Sequence, residues 1–172
     1  MFEEVLGLPA HPLTVHAPIV LVPLLIMVAL GYALIPPLRR ALGLALVVLS
    51  MLAPASVWGA REAGFAFRER LAARDMMPAE LSAQVDEHAT ASLRLFWFTV
   101  ALGVVGLVLA MVGRAMRRSP EEEYESESGS GRGVLIVIAV LLAIAVLGLS
   151  GASGYYLFET GDSGSRMVWE GS

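Results

Sequence analysis

The sequence predicts an all-α membrane protein, a bundle of four transmembrane helices whose second and third helices extend beyond the outer membrane face. Three observations predict it. Hydrophobic residues fill 56% of the 172 positions and charged residues only 16%, at a mean hydropathy of +0.69. A soluble domain of this size could not cover so much apolar surface. Four apolar stretches, residues 17–34, 41–58, 93–111 and 134–157, each approach the ~20 residues that carry a helix across a bilayer. Arg94, at the edge of the third, is the one charged residue in them, and none has the polar stripe of a soluble bundle helix. Within hydrocarbon the backbone must satisfy itself, so such spans are helices. Residues 1–172 are read as one membrane domain.

The first span is preceded by Glu3 and Glu4 rather than a basic segment, which argues against a cleaved signal peptide. Thr14 is expected to cap it, with Pro18 in the first turn and Pro12 holding His11 outside the helix. Pro23 should interrupt the span and release the carbonyl of Ile19. Beyond the second span, Ala60, Gly64, Phe67 and Leu71 keep helical spacing with no proline from Arg61 to Arg74, so that helix should continue outward. Pro78 suits the opening turn of the third helix. Leu81, Val85, His88, Ser92, Leu95 and Thr99 then recur in alternating four- and three-residue steps, which makes this helix one long rod. His88 lies on its bundle-facing stripe, away from Glu80, Gln84 and Glu87. Residues 119–132 (SPEEEYESESGSGR) are acidic and rich in Ser and Gly, and are expected to form a disordered cytoplasmic loop.

Arg39 and Arg40 occupy the first connection, and Arg114, Arg117, Arg118 and Arg132 flank the third. By the positive-inside rule these connections are cytoplasmic and both termini lie outside the cytoplasm, as in a multi-pass protein of the plasma (inner) membrane. Arg61, Arg68, Arg70 and Arg74 in the middle connection count against this. Trp58, Phe96, Trp97, Phe98, Tyr155, Tyr156 and Phe158 are expected to form an aromatic belt at the outer interface.

The net charge of −4 argues against a nucleic-acid partner. The absence of cysteine excludes disulfides, thiolate metal sites and cysteine nucleophiles. No nucleophile–base pair, phosphate loop or paired carboxylates stand out. The chain is therefore not expected to act as an enzyme by itself, although a redox subunit remains open.

The three histidines, His11, His16 and His88, all fall near the outer interface in this topology. Imidazoles from the first and third helices entering one layer can ligate one metal, and a b-type haem is the natural group between helices around an apolar slot. His16 and His88 are the expected pair. The run Gly148, Ser150, Gly151, Ala152, Ser153 and Gly154 supplies small residues for such a slot, and Arg94 and Arg61 could meet propionates. Each feature also has a plain alternative: small residues close helix packing, arginines that snorkel to headgroups, and a histidine that hydrogen-bonds a neighbour.

The patterns H-P-L-T-V-H-A-P-I at residues 11–19, D-E-H-A at 86–89 and T-G-D-S-G at 160–164 resemble the family called domain of unknown function 2231, bacterial four-helix membrane proteins. The resemblance covers essentially the whole chain. It implies redox work in the membrane, because some members are similar in architecture to fusions with Rieske or cytochrome c domains. The family's motif histidines correspond to His11, His16 and His88. The family's tail usually reads Gly-His-x-Gly, whereas Asp162 stands here between Gly161 and Ser163. A carboxylate is a harder ligand, better matched to zinc or manganese than to haem iron. Asp162 could equally support a ligating histidine, or belong to a polar turn after the membrane exit.

Three functions follow as expectations. The first is an electron-transfer module holding haem b between His16 and His88, with Arg94 and Gly151 lining the site and a redox protein or quinone as partner. The second is a membrane protein binding a divalent ion such as zinc or copper through His11, His16, His88 and Asp162. The absence of charge near mid-span makes ion conduction less attractive. The third is a structural or accessory subunit, in which Gly103 with Gly106 and Gly148 with Ala152 serve packing within the chain or in a homo-oligomer.

Overall fold

The computed structural model describes residues 4–5, 8–116 and 129–169. A two-residue antiparallel pair, β1 (Glu4–Val5) with β2 (Leu8–Pro9), precedes the helices. Then follow α1 (Ala10–Thr14), α2 (His16–Leu34), a 3₁₀ turn (Pro36–Leu38), α3 (Arg39–Ala73), α4 (Ala79–Ala115) and α5 (Gly129–Trp169). Consecutive long helices pack as neighbours, and α5 closes the ring against α2. All four long helical segments are long and apolar enough to cross a membrane.

One seam organises the packing. Pro18, Val22, Leu25, Ala29 and Tyr32 of α2 are buried in alternating four- and three-residue steps. Leu46, Ser50, Ala53, Val57 and Ala60 do the same on α3, and Ser92, Leu95, Thr99, Leu102, Gly106, Leu109 and Gly113 on α4. Val146, Ser150 and Ser153 continue it on α5. A repeat of about 3.5 residues keeps one face of each helix on its neighbours. The opposite faces expose apolar side chains such as Met27, Met51 and Leu141, as a lipid-facing surface requires.

Proline and glycine meet at the tightest crossing. Pro54 lies inside α3 and has no N–H for the Ser50 carbonyl four residues earlier. Gly103 of α4 sits against that oxygen: a Cβ there would lie 2.8 Å from it. Only a glycine lets the two backbones approach this closely.

The helical extensions of α3 and α4 are present as expected, with Pro78 at the N-cap of α4 rather than inside its first turn. Two expectations are corrected, and a third falls largely outside the described residues. Residues 160–165 do not turn away from the bundle, because α5 continues unbroken to Trp169 and becomes a third projecting helix. Of the acidic connection, residues 119–128 lie outside the described residues, and residues 129–132 already belong to α5. At the N-terminus His11 is inside α1, not outside a helix. Thr14 caps nothing: its Oγ1 donates back to the His11 carbonyl at 3.0 Å, and Val15 precedes α2 without a side-chain cap. The Val15 N–H still reaches the His11 carbonyl at 3.2 Å, so α1 and α2 form a nearly continuous helix. The break between them follows from Pro18, which cannot donate to the Thr14 carbonyl.

Gly103→Ala should lower detergent-state stability by about 2 kcal/mol, because the new methyl meets backbone rather than a movable side chain. Gly148→Ala, with nothing within 4 Å of the added Cβ, should leave the melting temperature unchanged or slightly raised. Equal melting temperatures for Gly103→Ala and the parent protein would show that the crossing is looser than described.

Candidate histidine site

The seam runs past the apolar spans into the extensions, and two of the three histidines lie on it. His88 is seven residues before Leu95 on α4, and His11 seven before Pro18 on the α1–α2 path. Their ring centres are 6.3 Å apart, with planes at 89°. His16 is exposed. Five residues of helix turn the chain by about 500°, leaving His16 about 140° around the axis from His11, so both cannot face the bundle. The structure therefore pairs His88 with His11 where the sequence suggested His16.

Each ring rests on a glycine and donates to protein oxygen. The His11 Nδ1 lies 3.0 Å from the Ala60 carbonyl of α3. A carbonyl only accepts, so the proton is on Nδ1. A Cβ on Gly64, one turn along α3, would come within 3.1 Å of the His11 ring, and Phe67 lies nearly parallel to that ring at 6.4 Å. The His88 Nδ1 lies 3.0 Å from the Ser163 Oγ of α5, and that hydroxyl donates to the Thr160 carbonyl at 3.2 Å. With its hydrogen committed there, Ser163 accepts from His88. A Cβ on Gly164 would lie 3.3 Å from the His88 ring. Both imidazoles are thus held through Nδ1, and both Nε2 atoms keep a lone pair.

Both histidines stand outside the apolar spans, half-buried among helix ends. Burial holds each below the usual histidine value of 6.5, against the opposing effect of the carbonyls near them. His88 is lowered further by the neighbouring His11 and Arg61 charges.

The remaining expected residues surround this pair without joining it. Arg61 Nη1 donates to the Ala89 carbonyl at 2.8 Å and to the Ser92 hydroxyl, tying α3 to α4, while its buried Nε has no partner among the described residues. Arg94 is exposed, with its guanidinium 5.7 Å from the centre of the Tyr156 ring. Gly151 is exposed and, like Gly148, has nothing within 4 Å of where a Cβ would stand. The glycines of α5 thus face outward while Ser150 and Ser153 face inward, so they wall no slot. Asp162 pairs with Arg166 at 2.9 Å and lines a groove of about 300 Å³ with Gln84, Glu87 and Glu159. No cluster of three or more His, Asp or Glu side chains suited to an ion occurs among the described residues. Sequence reasoning missed Ser163, Gly64 and Gly164, although T-G-D-S-G had marked the right segment.

For metal-free protein the sign of the pH response follows from the lowered values. The unfolded chain binds protons near 6.5, the folded histidines only below that. Stability should be full above this pH and fall as pH drops through it toward the lower folded values. His11→Gln/His88→Gln should flatten this dependence in melts between pH 7.5 and 5; an unchanged slope would mean that other groups carry it.

The family described as Predicted membrane protein (DUF2231) matches residues 7–172. No curated protein and no solved structure matches the chain.

Proposed function

We propose, on the premise that the chain belongs to the DUF2231 family of predicted membrane proteins, that His11 and His88 hold one transition-metal ion at the end of the bundle where α1 begins and α5 ends. The observation that carries this is the pair of donating Nδ1 atoms. Ligating histidines characteristically fix their tautomer by donating the other ring N–H to a carbonyl or carboxylate, which raises the basicity of the free nitrogen. His11 has that arrangement on the Ala60 carbonyl, and His88 has the equivalent bond to the Ser163 hydroxyl.

The spacing favours one kind of ion. Two imidazoles on opposite sides of an ion, with metal–nitrogen bonds of about 2.0 Å, place ring centres about 6.2 Å apart, whereas a tetrahedral angle brings them to about 5 Å. The observed 6.3 Å matches the ring separation that near-linear coordination by two nitrogens would give. Monovalent copper accepts that geometry; zinc would prefer more ligands and a tighter angle. An ion that changes charge by one electron suits electron transfer, with a redox protein or quinone as partner. The arginines of the first and third connections support a position of this end outside the cytoplasm.

Haem b fits these residues less well. Gly148 and Gly151 face away from the histidines, Arg94 lies over Tyr156, and Arg61 is spent on α4. A bare ion needs none of them. A structural reading has support in the same hydrogen bonds, which join α1 to α3 and α4 to α5 whether or not an ion is present.

Elemental analysis and absorption spectra of detergent-purified protein, oxidised and reduced, decide among these. We expect about one copper per chain after loading, retained by His16→Gln and lost from His11→Gln/His88→Gln. A haem absorption band that disappears in the double variant would replace the ion by haem b. Metal content unaffected by the double variant, or none in the folded parent, leaves only the structural role.

A further inference from the structure

The opposite end of the bundle holds a cavity of about 670 Å³ lined by Tyr32, Arg39, Arg40, Gly43, Leu44 and Arg114. It sits where α2 ends, α3 begins and α4 ends. We infer that this cavity binds the phosphate of an anionic phospholipid, held by the guanidinium groups of Arg40 and Arg114.

The charges are unequally employed. Arg39 is already committed: its Nε donates to the Tyr32 carbonyl at 3.0 Å and its Nη2 to the Ala33 carbonyl at 3.2 Å, which closes the C-terminus of α2. Arg40 and Arg114 are exposed and have no ion pair or hydrogen bond among the described residues. No carboxylate among the described residues lines the cavity. The described carboxylates from Glu62 onward lie on the extensions at the histidine end. Two cations that face one hollow with no counter-ion among the described residues repel each other, and a phosphate between them converts that repulsion into charge-assisted hydrogen bonds. Arg40 also stands in the first turn of α3, which has no capping side chain and no acidic residue there. A cation is disfavoured at a helix N-terminus unless an anion accompanies it.

The wall of the cavity says why the anion belongs to a lipid. Leu44 follows Arg40 by one helical turn on the same face of α3 and is 74% exposed. Leu34, Ile35 and Leu38 beside it are exposed as well. The hollow is therefore charged at its head and apolar along its flank, the profile of a headgroup followed by an acyl chain. Basic hollows between transmembrane helices bind anionic headgroups in this way.

The test is lipid retention by native mass spectrometry, with protein exchanged into mixed micelles containing phosphatidylglycerol or phosphatidylcholine. The parent protein should retain phosphatidylglycerol and not phosphatidylcholine. Arg40→Gln/Arg114→Gln should reduce that retention about tenfold, while Arg68→Gln/Arg74→Gln, which removes the same charge at the other end, should not. Equal retention by both variants, or no preference for the anionic lipid, overturns the site. Displacement of the lipid by millimolar inorganic phosphate would assign the cavity to a free anion instead. Matching melting temperatures show that the comparison is made on folded protein, which is expected because both substituted arginines are exposed.

Discussion

An α-helix that leaves the hydrocarbon without breaking carries its register with it. In this protein the seam of four- and three-residue steps that packs Leu25, Leu46, Leu102 and Val146 in the bundle core continues outward through Ala60 and Gly64, Ser92 and His88, and Thr160 and Gly164. The side chains at the histidine end are therefore aimed by contacts made many residues away. Hydrogen bonds from His11 to Ala60, from His88 to Ser163 and from Arg61 to Ala89 then fix the rings and helices locally. The Arg68–Asp86 ion pair at 2.6 Å is solvent-exposed, and such pairs contribute at most about 1 kcal/mol. Loosening the Ser50–Gly103 crossing would tilt α3 against α4 and shift His11 relative to His88 without touching either.

Much of this was legible because apolar periodicity and length are strong signals. The spans follow from the four apolar stretches, and the rod of α4 and the inward face of His88 from residues 81–99 alone. The N-terminal path was not legible, for a definite reason. Prolines at 12, 18 and 23 read as punctuation, yet Pro12 falls in the first turn of a helix, where its missing N–H is not needed. With α1 treated as a loop, the seven-residue step from His11 to Pro18 was hidden and His16 took its place. The glycine run of α5 misled differently: a run of small residues says that a helix can be approached closely but not from which side. Val146 sets the phase, and from it Ser150 and Ser153 point inward while Gly148 and Gly151 point out. Asp162 drew attention because it departs from the family's tail, although its neighbour Ser163 is the residue that reaches His88.

The two ends of the bundle use opposite electrostatic strategies. At one, burial favours the neutral imidazoles against the opposing pull of nearby carbonyls, and hydrogen bonds at Nδ1 leave the other ring nitrogens as bases. At the other, guanidinium groups gather around a hollow that no carboxylate among the described residues lines. Between them the spans carry no charge other than Arg94 at the edge of the third, so the packing of the helices is what links the two ends.

The length of α5 sets how the histidines are reached. Its 41 residues extend about 60 Å, twice the thickness of the hydrocarbon. The pair sits only a few residues beyond the spans, at the level of Ala60 and Gly64, while α3 runs on to Ala73 and α5 to Trp169. Three helix ends therefore stand around the imidazoles as a collar, and whatever exchanges with them must pass down from the aqueous rim rather than sideways from the lipid. The rate of that exchange is set by how readily the collar parts.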